Sequence, residues 1–248
     1  NKRELGFNKE AVVYLNVGSQ PSVKYGETLL TEISRLPGVI SSSLTGNSLG
    51  DGSMSGNGVT VGNSPIKESQ MHQVLTVDVG YKEALELQMM EGRWFSDDYG
   101  SDRPEGFVVN QAFVDHFSMT DPIGAKLNRN NQQGQIIGVV KDFHFKSMRH
   151  AIQPLVLHMR PRDEFGYWNM AIRLNPNDGP ETLDKIEEVW KSVVPDLPFK
   201  VTFLDDRIDK FYQDDRNFAT LFSTFSGLAI VVSCLGLIGL VAFICFKY

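Results

Sequence analysis

The sequence predicts an α+β protein: two strand–helix–strand units, a mostly-β stretch inserted between them, and a transmembrane helix that follows. Three observations predict this. Strand, helix and strand succeed one another in residues 11–44 and again in 168–204, with helices of similar length. The residues between are short β-rich runs broken by Gly, Pro, Asn and Asp. Finally, residues 217–246 form a run of 30 without Asp, Glu, Lys, Arg or His. A bilayer needs about 20 consecutive apolar residues as a helix.

The first unit opens with a β-branched run, residues 11–17, read as a strand. Residues 22–36 carry Leu29, Ile33 and Leu36 at helical spacing, and Pro37-Gly38 stops that helix. Residues 39–44 read as the next strand. The second unit repeats the order. Residues 168–174 are a strand. Pro180 opens a helix with Leu183, Ile186, Trp190 and Val193 on one face, and Pro195 and Pro198 end it. Residues 199–204 alternate as a strand. Two such units combine into a four-stranded sheet with two helices on one face, the split βαβ arrangement.

The middle begins with residues 46–63, rich in Gly, Ser and Asn and read as a flexible loop. Residues 71–79 are predicted as a strand, 81–90 as a short helix and 107–109 as a strand. Asn110 has the residue type that caps a helix, and that helix places Phe113 and Phe117 on one side. Asp121, Pro122 and Gly124 stand where a type I turn wants them. Residues 135–140 and 155–157 read as buried strands. Phe143 and Phe145 alternate with His144 and so share a face. These elements divide the chain into 1–47 with 166–204 (the two halves of one subdomain), 48–165 (inserted, mostly β), 205–217 (a stalk helix) and 218–246 (the membrane helix).

Composition restricts function. Net charge is −6, against the basic footprint that nucleic-acid binding requires. Both cysteines, Cys234 and Cys245, lie in the apolar tail, so residues 1–216 hold no disulfide or thiolate metal site. The chain starts without Met or a signal region and stops just after the apolar run, which reads as a piece of a longer membrane protein. The stalk carries Leu204, Ile208, Phe211, Phe218, Phe222 and Phe225 at a period near 3.5, a seam that starts among charges and runs into the uncharged stretch. One helix therefore rises out of the bilayer; at 1.5 Å per residue the uncharged run alone spans about 45 Å. Inside it Ser223, Gly227, Ser233, Gly236 and Gly239 are small residues that let neighbouring membrane helices approach.

Candidate chemistry is sparse. His144, near Asp142, and His150 and His158 have no compact zinc spacing, and His144 reads as a solvent-facing or hydrogen-bonded strand residue. Asp115 and His116 are helix neighbours that do not face each other. Asp97-Asp98 and Asp205-Asp206 read as solvated turns or helix starts. The glycine-rich stretch 50–56 lacks the ending of a nucleotide loop, and there is no nucleophile elbow. No catalytic, cofactor-binding or metal residue is assigned.

Several strings resemble one family. Gly138-Val-Val-Lys-Asp-Phe-His-Phe-Lys-Ser-Met148 with Ile152-Gln-Pro-Leu-Val156 is similar to a segment of the MacB-like/FtsX-like ABC transporter permeases, especially those of Bacteroidota. Val108-Val-Asn-Gln-Ala-Phe113, Asp121-Pro-Ile-Gly124, Glu4-Leu-Gly-Phe7 and the run from Leu221 through Leu237 resemble that family as well. The resemblance implies a periplasmic porter-like subdomain of two βαβ pieces carrying an inserted, mostly-β subdomain, set between two helices of a permease in the bacterial inner membrane. It implies a non-catalytic moving part, without cofactor, that transmits ATP-driven motion to periplasmic cargo or partners by mechanotransmission. Efflux, lipoprotein handling and control of cell-wall hydrolases are the roles it suggests. The partners implied are a cytoplasmic ABC ATPase subunit, other permease helices or a second permease copy, and a periplasmic adaptor, lipoprotein or cell-wall hydrolase, with no nucleic acid. Asp142, Phe143, His144 and Phe145 carry the resemblance and are assigned a structural role. The rival readings are a membrane-tethered extracytoplasmic ligand sensor and a membrane-anchored hydrolase built around His144 and Asp142.

Overall fold

The structure is a computed structural model that describes residues 5–17, 23–49, 54–62, 64, 66, 68–145, 151–162 and 166–208, with residues 222, 225–227, 229, 230, 233 and 236 beyond them. Residues 1–207 form one compact unit and 208–248 a second. The fold below is that of the first.

The first sheet is built from the two predicted halves. Strands β1 (Val12–Asn16), β2 (Val39–Thr45), β10 (Asn169–Leu174) and β11 (Val201–Phe203) lie in the order β11-β1-β10-β2, every neighbour antiparallel. This is the split βαβ arrangement. Helix α1 (Val23–Ser34) and helix α5 (Gly179–Val193) pack together over one face. Alternation along β1 and β10 aims Val13, Leu15, Met170 and Ile172 at Leu29, Ile33, Ile186 and Trp190 of the helices. Pro180 sits in the first turn of α5. Trp190, buried, meets its indole N–H requirement on the Leu197 carbonyl at 2.9 Å.

The second face of that sheet is covered from within the inserted sequence. Helix α2 (Tyr81–Leu85) packs on β2 and β10, with Tyr81, Ala84 and Leu85 buried. The helix predicted for 81–90 therefore stops early. Glu86 takes a left-handed conformation (φ 52°) as its C-cap and turns the chain into β5 (Met89–Gly92).

The remaining strands form a second sheet: β3 (Ser55–Val61), β4 (Gln70–Thr76), β5, β6 (Gly106–Asn110), β7 (Lys126–Arg129), β8 (Gln132–Val140) and β9 (Leu155–His158), in the order β5-β8-β6-β9-β4-β3-β7. Pairing of β7 with β8 closes six of them into a ring, a small barrel with β5 attached at β8. Strand β8 makes this closure possible because its first half pairs with β7 and its second half with β5 and β6. Val59, Val61, Val74, Phe107, Val109, Leu127, Ile136, Val139 and Val156 fill the interior. Helix α3 (Asp102–Glu105) leads into β6 and helix α4 (Gln111–His116) follows it. Phe113 and Phe117 close one mouth of the barrel.

Strand β3 corrects the reading of 46–63 as a flexible loop. Its composition, Ser-Gly-Asn-Gly-Val-Thr-Val, looks loop-like. Ladders to β4 and β7 and burial of Val59 and Val61 override that weak local preference. The turn between β7 and β8 is the two-residue Asn130-Asn131, both at positive φ, the geometry of a hairpin turn whose twist matches its strands.

Candidate functional site

The segment where the described chain enters the first unit and the turn where it reaches Arg207 lie together. Entry is fixed by backbone. The His144 N–H donates to the Leu5 carbonyl at 2.8 Å and the Asn8 N–H to the Leu85 carbonyl at 3.0 Å. Phe7 meets Phe143 edge-on, ring centroids 6.5 Å apart, and Phe143 meets Phe145 in the same way at 5.9 Å. Between them Gly6 lies at φ +78°, so close to the Asp142 and Phe143 backbone that an added Cβ would stand 2.7 Å from Phe143 Cα. Only glycine combines that conformation with that approach. The two strings Leu5-Gly-Phe7 and Lys141-Asp-Phe-His-Phe145, far apart in sequence, are thus two sides of one clasp.

Asp142, Phe143, His144 and Phe145 each have a mechanical task there. The Asp142 carboxylate accepts from the Ala112 N–H at the start of α4, 2.9 Å. Phe143 and Phe145 are buried, while the His144 side chain is half-buried. Asn110 ties α4 to β9: its side-chain oxygen accepts from the N–H groups of Phe113 (3.1 Å) and Leu155 (2.8 Å), and its amide donates to the Gln153 carbonyl (3.0 Å). It is the predicted helix cap.

Sequence reasoning missed Arg173. This residue of β10 is 5% exposed, and its guanidinium donates to three carbonyls: Ala84 at 2.7 Å, Asn8 at 2.7 Å and Glu10 at 3.0 Å. It pins the entry segment and α2 to the sheet. Burial lowers its pKa, against the opposing charges of Glu86 and Glu10. Its signal was available, since an arginine inside an otherwise apolar strand must find donors' partners where water cannot reach.

The exit is tied to the entry. Residues 204–207 are helical, and Leu204 is fully buried. Lys9 Nζ lies 3.6 Å from Asp205 Oδ1. Arg207 donates to Ser48 Oγ, and its guanidinium carbon stands 6.0 Å from the Tyr14 ring centroid. Residues 9 and 205 are therefore neighbours although nearly 200 positions separate them in sequence.

A second polar cluster joins barrel and sheet. Asp78, 1% exposed, accepts from Arg103 (2.9 Å) and Arg162 (2.6 Å), and its own N–H donates to the Leu44 carbonyl of β2 (3.0 Å). Asp97 accepts from the same two arginines at 2.5 and 2.8 Å. Arg162 also approaches Glu27 of α1 at 3.6 Å. Burial works against the charge on both arginines, yet the carboxylates raise their pKa. Burial likewise opposes the Asp97 charge, and the guanidinium groups of Arg103 and Arg162 overcome it, holding the carboxyl below its usual range. Asp97, expected in a solvated turn, is a member of this cluster.

Of the predicted stalk and packing residues, Leu204 and Ile208 are buried, whereas Phe222, Phe225, Gly227, Ser233 and Gly236 are exposed and helical. The Ser233 hydroxyl donates to the Ala229 carbonyl one turn back, 2.8 Å. Phe211, Phe218, Ser223 and Gly239 lie outside the described residues, as does most of the predicted membrane helix. Among the described residues no helix is long and apolar enough to cross a membrane, and no group of three or more His, Cys, Asp or Glu side chains could hold a metal ion.

The described residues thus form a split βαβ sheet and an inserted barrel, with the entering and departing segments side by side. The sequence profile described as "MacB-like periplasmic core domain" matches residues 5–189, and the chain belongs to that family. Its fold is similar to the periplasmic region of MacB from Actinobacillus actinomycetemcomitans, with a TM-score of 0.59 over 86% of this chain and 96% of that one at 13% identity. It is also similar to the extracellular domain of the noncanonic ABC-type transporter YknZ from Gram-positive bacteria (TM-score 0.52, 12% identity, 73% and 93% covered). A domain of a protein described as a permease, from Porphyromonas gingivalis, gives 0.53 at 15% identity over 79% and 92%. No curated protein is similar enough in sequence to match.

Proposed function

We propose that this chain is the periplasmic head of an ABC transporter permease, and that it passes ATP-driven displacement across the inner membrane to periplasmic cargo or partners. The observation that carries the reading is the adjacency of entry and exit: Lys9 meets Asp205 at 3.6 Å, and β1 pairs with β11. A head inserted between two membrane helices needs its two ends at one place. The uncharged run 217–246 supplies the helix that follows. Family membership supports the periplasmic setting.

In this reading the head is a non-catalytic moving part. Its ATPase is a separate cytoplasmic subunit, and further permease helices or a second permease copy pack on Ser223, Gly227, Ser233, Gly236 and Gly239. The clasp at Gly6 and the tether at Arg173 make the entry segment rigid with both barrel and sheet. Buried Leu204 does the same for the exit, where the partly exposed Lys9–Asp205 pair adds only a weak contact. A displacement arriving by either helix then moves the head as a body instead of being absorbed by a loose joint.

The test uses the full transporter. Ile208→Pro interrupts the stalk just past the head, because proline removes a helix hydrogen bond and clashes with the preceding turn. With assembly intact, the reading expects ATP hydrolysis to persist while its dependence on periplasmic partner or cargo is lost. Retention of that dependence overturns the reading.

A further inference from the structure

We infer that His72 and His116 form a binding site for a divalent transition-metal ion at the α4 mouth of the barrel. His72 lies on β4, on the same face as Val74, and is 7% exposed among Phe113 and Phe117, whose ring centroids are 5.8 and 5.1 Å away. Its buried Nε2 has no hydrogen-bond partner. A buried polar atom left in that state is destabilising, so the position calls for something to bind. His116, on α4, is exposed, and its ring centroid is 5.0 Å from that of His72 with the planes 74° apart.

Two features suit a metal ion. With metal–nitrogen bonds of about 2.0–2.1 Å and ligand angles between square and tetrahedral, two imidazole centroids on one ion lie about 4.5–5.2 Å apart, and the observed separation falls in that interval. His116 Nε2 is 2.7 Å from Gln70 Oε1. A carboxamide oxygen only accepts, so Nε2 carries the proton and Nδ1 keeps its lone pair, the outer hydrogen bond that orients metal-binding histidines. Two imidazoles with water completing the shell suit an ion of the Cu(II), Ni(II) or Zn(II) class and not Mg or Ca, which take oxygen ligands.

The probe is Cu(II) added to the full chain in detergent, with no polyhistidine tag, read by electron spin echo modulation from the remote imidazole nitrogens and by competition with a chelator of known affinity. One strong site with two equivalent imidazoles is expected. His116→Ala, at an exposed position, removes a ligand while leaving the metal-free thermal midpoint unchanged, and the strong site disappears. Gln70→Ala keeps both ligands and weakens binding about tenfold. A single-imidazole echo in the wild type overturns the inference, as does a His116→Ala variant that still binds one Cu(II) with wild-type affinity. Neither result bears on the proposed transporter role, which involves neither histidine.

Discussion

In the split sheet, the buried cation Arg173 spends its donors on three backbone carbonyls, and the surrounding core is aliphatic and aromatic. In the barrel, both mouths hold side chains that titrate. His72 sits at one. At the other, buried His158 donates from Nδ1 to the Met159 carbonyl (3.0 Å) and accepts at Nε2 from Arg129 (2.6 Å) and Thr76 (3.0 Å). Burial, then the charges of Arg129 and Arg160, push the His158 pKa well below its ordinary value. Burial, then Arg160, lowers that of Arg129 to about 10. The sheet layer is therefore held by a cation that keeps its charge at any physiological pH, whereas the barrel buries two histidines that must stay neutral, one of them beside the still-charged Arg129. The two layers share a chain but answer differently to acid.

The sharpest way to break the sheet side of this contrast is Arg173→Met. Methionine fills the space but leaves the buried Ala84 carbonyl and the part-buried Asn8 and Glu10 carbonyls without this donor, at up to about 1–3 kcal/mol for each that water cannot reach. Partial relaxation gives an expected loss of about 3–4 kcal/mol in urea unfolding, with Trp190 fluorescence reporting the sheet core. A loss under about 1 kcal/mol, the size of an ordinary surface substitution, would show that water reaches those carbonyls and that the tether is dispensable.

Acid is the complementary perturbation of the barrel. His72 has a folded pKa of about 4 and an unfolded value near 6.5. Between these values the unfolded chain binds a proton that the native state refuses, so the stabilisation is complete above pH 6.5 and declines as pH falls to 4. At 1.36 kcal/mol per pKa unit, this one group removes about 3 kcal/mol over that window. His158 adds to the loss in the same direction. Amide exchange at pH 4.5, corrected for intrinsic rates, is expected to accelerate in β4 and α4 before β1 and β10. Equal acceleration in both layers would erase the distinction, and His72→Phe should flatten the pH dependence if the assignment is right.

The same contrast explains what was legible in the sequence. The sheet layer announces itself: Leu29, Ile33 and Leu36 mark a helix, Pro180 opens another, and the strands either side are β-branched. Every signal is local, and only the antiparallel order is not. The barrel is closed by relations that periodicity does not record. Strand β3 has glycines at two of its first four positions, and it is a strand because β4 and β7 flank it. The Asn130-Asn131 turn was a usable hairpin signal that composition alone obscured. Helix α2 comes from the inserted sequence yet packs Tyr81, Ala84 and Leu85 against the sheet, a placement that local periodicity does not record. The Asp142–Phe145 string was recognisable as a marker, but its partner, Gly6, was visible only once φ and the approach distance were known.

Gly6→Ala tests the clasp, where the two layers meet the entry segment. A left-handed conformation costs an L-residue about 1–2 kcal/mol, and the new methyl meets Phe143 Cα and its Cβ, which cannot step aside freely. An expected loss of about 2 kcal/mol places this below Arg173→Met. In the full transporter the larger effect should be on coupling, because the entry segment would be displaced from the His144 N–H. Unchanged exchange protection of the His144 amide would show that the Leu5–His144 bond survives and that the glycine is not required.

The smallest expected effect belongs to the ion cluster that bridges the layers. Asp97→Asn removes one of two carboxylates shared by Arg103 and Arg162 while leaving the buried Asp78 in place. The Asp97 side chain is 49% exposed, so solvent screens most of its attraction, and pairs of that exposure are worth about 0.2–1 kcal/mol. Its folded pKa lies below its unfolded one, so its stabilisation is present above the unfolded value near 3.9 and is lost as pH falls through the folded value. This window lies below that of His72. A wild-type minus Asp97→Asn difference measured from pH 3 to 7 should therefore be flat above about pH 5, shrink only at the acid end, and diminish in high salt. A difference that already closes between pH 6.5 and 5 would mean that a histidine is coupled to Asp97, and the separation of the two layers by their titrating groups would fail at this joint.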